Sequence, residues 1–138
     1  MKIKCLVDIV IPEIHDEKIV QWAKKSELEI TIGKVYVVFA ITKFFDIFFY
    51  YILGDERNIF PLAFPAELFE IIDNRISKYW DFDLPRVESL SQIKIENNDI
   101  ISFKEWSVEK DSFYEKILEE HVREMEIFNF FKEKILME

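Results

Sequence analysis

The residues able to do chemistry are few and scattered. The lone cysteine sits in Ile3-Lys4-Cys5-Leu6-Val7. It reads as a buried structural thiol, because a reactive thiolate needs exposure and a lowered pKa. His15 and His121 have no paired ligand spacing, so no metal centre is expected. His121 falls between Ile117 and Met125 at helical spacing and reads as a half-buried histidine. A general base would need a nucleophile or a paired acid, and neither is in view. Carboxylates are plentiful, but no spacing marks a glycosidase pair. Only Gly33 and Gly54 are glycines, so no glycine-rich phosphate loop and no nucleophile elbow can form. The expectation is a protein without catalytic residues, metal or cofactor.

What remains is binding chemistry. The chain has 138 residues, half of them hydrophobic and 16% aromatic, with a formal charge of −9. Residues 1–60 hold 8 bases and 9 acids, and residues 61–138 hold 10 and 18. Such a field repels nucleic acid and membrane surfaces and speeds encounter with a basic partner. The carboxylates placed to meet one are Asp55, Glu56, Asp81 and Asp83, with Tyr79 beside the last pair. A helical stripe of Glu115, Glu119 and Glu126 joins them, although a solvated face is the plainer reading of that stripe. Phe44-Phe45 stands between two strand-like runs, where a hairpin turn favours Gly, Asn or Asp. Either one Phe turns inward, or at least one is presented to a partner as an anchor with Lys43 and Asp46 as its rim.

These residues need a scaffold. Ile3, Cys5, Val7, Ile9 and Ile11 alternate, which predicts a strand over 2–11. Residues 16–25 predict a short helix, with Asp16 as N-cap and Ile19, Trp22 and Ala23 inward. Residues 28–42 and 47–53 predict strands, with a bulge or bend at Gly33, and the second run is apolar on both faces. Pro65 to Leu68 predicts a helical turn, and 69–72, 78–82 and 93–95 predict short strands, with 100–106 extended. Ser112 with Glu115 forms a capping-box pattern ahead of a long helix over 113–135. Its inward face is Tyr114, Ile117, Leu118, Met125, Phe128, Phe131 and Ile135. Strands followed by a helix predict one α+β domain over 1–138. Its sheet would be small, antiparallel and strongly bent, of the SH3-like barrel kind (about 28–83), with the helix packed on it. One cysteine permits no internal disulfide, and no cleavable leader is evident, so a cytoplasmic location is expected. The greasiest region, 35–53, is broken by Lys43 and Asp46, so no membrane span is expected.

The spaced pattern from Ile32-Gly33-Lys34-Val35-Tyr36 through Tyr50-Tyr51-Ile52, Phe64-Pro65-Ala66-Glu67-Leu68 and Ser77-Lys78-Tyr79-Trp80 resembles that of small bacterial SH3-like-barrel proteins. Their C-terminal segment is similar to Ser112-Phe113-Tyr114-Glu115-Lys116-Ile117. The resemblance implies an immunity protein of a contact-dependent, polymorphic toxin system. Such a protein binds a cognate toxin, here a basic nuclease, by direct contact. The alternatives are a small enzyme with an acidic cleft and an interaction module of a larger assembly.

Overall fold

The computed structural model describes residues 1–13, 15–23, 28–55, 59–81 and 94–138. The first strand, β1 (Lys2–Cys5), buries Ile3 and Cys5 and turns Lys2 and Lys4 outward. It stops well short of Ile11, because the chain turns away at Leu6. Helix α1 (Glu17–Ala23) starts as expected: Asp16 Oδ1 accepts the Lys18 N–H at 2.8 Å, and Ile19 is buried. Gly33 has φ +84°, with open space where a side chain would stand, so the backbone conformation alone calls for glycine. Its N–H donates to Cys5 O, and the turn launches β2 (Val35–Val37).

Val38 and Phe39, both buried, carry the chain from one sheet to the other. The strands β3 (Ala40–Phe44), β4 (Ile47–Ile52) and β5 (Leu62–Pro65) follow. After a 3-10 turn (Ala66–Leu68) comes β6 (Phe69–Asp73), and later β7 (Ile100–Ile101). Among the described residues the strands make two antiparallel sheets, ordered β2-β1-β6 and β5-β4-β3-β7. Both sheets are open. The expected SH3-like barrel is therefore wrong, and so is the family resemblance built on it. Closure would need the outer strands to pair around the sheet, and here β1 is instead the centre of its own three-stranded sheet. The α+β class stands.

The double greasiness of β4 has a direct cause. Tyr50 meets Phe69 of the small sheet (ring centroids 6.2 Å), while Tyr51 meets Trp106 and Tyr114 on the helical side (4.9 and 5.0 Å). The helices are α2 (Lys104–Glu109), α3 (Asp111–Leu118) and α4 (Val122–Leu136). The long helix expected over 113–135 is thus two, broken at Glu119–His121. Phe128 of α4 reaches Phe39 and Trp106, and Phe131 stacks on Phe103 at 4.4 Å. Of the expected inward face, Ile117, Phe128 and Ile135 are buried and Tyr114, Met125 and Phe131 half-buried, but Leu118 is exposed, and Phe113, outside that face, is buried.

Further corrections are local. Ser112 lies inside α3 and makes no capping bond, since the helix begins one residue earlier after Lys110. His121 is exposed: it is the N-cap residue of α4, with Nε2 3.0 Å from Glu119. Residues 78–80 turn rather than extend, Phe82 lies outside the described residues, and 104–109 are helical rather than extended. The strand expected at 93–95 begins outside the described residues, and 94–96 carry none. Among the described residues no helix is long and apolar enough to cross a membrane.

Candidate functional site

The β3–β4 hairpin carries the most unusual local chemistry in the fold. Phe44 pairs with Ile47, which leaves Phe45 and Asp46 as a two-residue loop. Both take positive φ, 49° and 64°, the type I′ geometry that matches the twist of a tight hairpin. Asn-Gly suits those positions. A phenylalanine in the left-handed region is strained by roughly 1–2 kcal/mol. The side chain recovers little of this by burial, since Phe45 is 74% exposed.

The strained tip is braced on both sides. Lys18 Nζ of α1 donates to Phe45 O at 2.9 Å. From the loop before β7, Asn97 Oδ1 accepts the Asp46 N–H at 2.9 Å, and Asn97 Nδ2 donates to Asp46 Oδ1 at 3.1 Å. The Asn98 N–H donates to Lys43 O at 2.7 Å, and Thr42 Oγ1 donates to Asp99 O at 2.7 Å. Lys43 lies 3.9 Å from Asp46 and over the Phe48 ring. Four residues from two other segments thus fix a tip whose outermost side chain touches little.

Behind the tip lies a cleft of about 400 Å³ lined by Trp22, Phe44, Phe45, Ile47, Phe49 and Ala63, with Lys18 and Gln21 at its polar edge. Phe44 packs edge-on to Phe49 at 5.5 Å, and Trp22 packs edge-on to Phe49 and Phe64. The two phenylalanines therefore divide the expected alternatives. Phe44 is half-buried wall, and Phe45 is presented. Nothing in the local sequence pointed to Lys18 or Asn97, which reach the hairpin from 27 and 51 residues away.

The expected acidic contacts do not gather around the cleft. Asp55 is a structural tie. It accepts hydrogen bonds from Thr31 Oγ1, Lys34 Nζ and the Tyr36 hydroxyl at 2.5, 2.7 and 2.6 Å. Desolvation pushes the Asp55 carboxyl up, but these donors outweigh it and hold the pKa at about 2. Desolvation, then the bond to Asp55, pushes the Tyr36 phenol up to about 12. Glu56 and Asp83 lie outside the described residues. Tyr79 is half-buried against Phe131 of α4 (6.4 Å), under Lys78 Nζ. Asp81 is exposed, and its N–H donates to Ser102 O. Glu115, Glu119 and Glu126 are exposed, but Glu115 is in α3, Glu119 in the break after it and Glu126 in α4, so they form no single stripe.

A smaller cavity, about 160 Å³, is lined by Met1, Lys2, Asp73, Arg75 and Glu138 among others. Its carboxylates are engaged: Arg75 clamps Asp73 through Nε and Nη2 at 3.0 and 2.8 Å, and Glu138 accepts from Ser77 Oγ. Arg75 thereby holds the Asp73 carboxyl well below the usual range. His15 is buried, its Nδ1 2.9 Å from the Ile11 N–H, and Cys5 is a buried free thiol. The chain matches no protein-family model, no curated protein and no solved structure.

Proposed function

We propose that this chain is a non-catalytic protein-binding module, with Phe45 as its anchor, the adjoining apolar cleft as a receptor, and a basic protein as its partner. The carrying observation is the braced, strained and exposed Phe45. Strain persists where the surroundings over-determine it, and it concentrates at functional positions. A rigid aromatic anchor beside an apolar cleft fits the anatomy of a binding hot spot. The charge of −9 supplies the second element, since it favours fast encounter with a basic protein.

A toxin that cleaves nucleic acid is one partner of this kind, because its substrate surface must be basic. Neutralisation by direct contact in a reducing cytoplasm is the specific form of the proposal. The buried, unpaired Cys5 is compatible with that compartment. An enzyme with an acidic cleft is the weaker reading, since the large cleft has no carboxylate in its lining. The test is to titrate the chain against basic proteins encoded beside its gene, following both binding and relief of toxicity. Binding that weakens with salt supports the proposal. Tight, salt-independent binding, or turnover of a small molecule in the cleft, overturns it.

A further inference from the structure

The break between α3 and α4 has the geometry of a helix stop without the residues that encode one. The Glu120 N–H donates to Ile117 O at 2.9 Å, and the His121 N–H donates to Lys116 O at 2.9 Å. That pair of bonds is a Schellman motif with Glu120 in the position that glycine normally takes. Glu120 sits at φ 56°, in the left-handed region that costs a non-glycine residue free energy. The motif's usual apolar contact is missing as well, because the two residues that would make it are Lys116 and His121. No Gly or Pro occurs from Asp111 to Glu138, and the apolar spacing runs on through the break. The stop is thus imposed by packing: α4 must fold back to put Phe128 on Phe39 and Phe131 on Phe103.

We infer that α3 and α4 can fuse into one helix over residues 111–136, and that two chains then exchange α4 to form a domain-swapped dimer. The straight helix relieves the Glu120 strain, and α4 keeps its aromatic contacts by packing on a second copy. A short hinge under strain favours this exchange. The surface at the break supplies an independent reason. Leu118 and Val122 are exposed, yet they stand four residues apart. In a continuous helix they become neighbours on one face, which the two crossing hinge helices of a dimer would cover. Continuity also aligns Lys116 with Glu120 as an i,i+4 pair, against the like-charge pair Glu120 with Glu124; Arg123, brought beside Glu119, is already paired with Glu109 and Glu124 in the single chain.

The test is to unfold and refold the full chain at high concentration and to measure its mass in solution. Two variants, Ser77→Cys and Glu138→Cys, are mixed, refolded together under reducing conditions, and then treated with a short thiol-to-thiol cross-linker, which the buried Cys5 does not meet in the folded chain. Ser77 and Glu138 are hydrogen-bonded partners across the α4 seat, so the linker joins the two variants only if α4 is exchanged. The expected result is a dimer carrying that cross-link. Glu120→Gly should lower the dimerisation constant roughly 30-fold, because about 1 kcal/mol of strain is relieved at each of two monomer hinges. A chain that stays monomeric, a dimer without the cross-link, or a dimer indifferent to Glu120→Gly overturns the inference.

Discussion

Replacing Phe45 with asparagine should make the protein more stable. Phe45 has φ 49°, where asparagine is tolerated and phenylalanine is strained by roughly 1–2 kcal/mol. Against this stands whatever apolar burial the ring has. At 74% exposure the side chain is about as wet as in a realistic unfolded ensemble, which already covers some apolar surface. The burial lost is then worth at most about 0.5 kcal/mol. A net gain of about 0.5–1.5 kcal/mol remains, which for a chain of this length raises Tm by about 2–5 °C. Phe44→Ser is the internal control. Phe44 is half-buried against Phe49, so its loss should cost about 2 kcal/mol and lower Tm by about 7 °C. Thermal unfolding followed by circular dichroism decides both. A fall of several degrees for Phe45→Asn, or no fall for Phe44→Ser, would refute the division of the hairpin into anchor and wall.

Two further outcomes rest on buried or tied groups. Asp55 has a folded pKa of about 2, below its ordinary value, so its stabilisation is complete above about pH 4 and is lost as pH falls through 2. Asp55→Asn should therefore lower Tm at neutral pH and flatten the dependence of stability on pH between 4 and 2, as acid titration of both proteins would reveal. Burial pushes the Cys5 thiol up, so alkylation at pH 8 should be negligible in the folded protein and complete after denaturation. Fast labelling of the native chain would mean that β1 opens readily.

Local pattern carried part of this structure. The alternation of Ile3 and Cys5, the Asp16 cap, the glycine bend at Gly33 and the two-sided apolar pattern of β4 are all legible, because each rests on neighbours within a few residues. The open sheets are not. Whether β1 closes a barrel or centres a separate sheet depends on its pairing with β2 and β6, far away in sequence. The helix break was hidden for a related reason: Glu119-Glu120-His121 is helix-compatible, and the stop comes from aromatic packing elsewhere. Phe44-Phe45 signalled an oddity, but only the two-residue loop decides which ring faces out. Asp55 and an exposed acidic contact look alike in sequence, since its donors Thr31, Lys34 and Tyr36 lie 19 to 24 residues away.

The most direct test of the binding proposal is the affinity of Phe45→Asn for the basic partner, measured by calorimetry beside the parent chain at low salt. Phe45 leaves roughly 150 Å² of side chain to be buried on docking, worth about 3 kcal/mol at most. The account predicts a Kd raised by roughly 30-fold or more, from a variant that melts no lower than the parent. An unchanged Kd in a folded Phe45→Asn protein would contradict it.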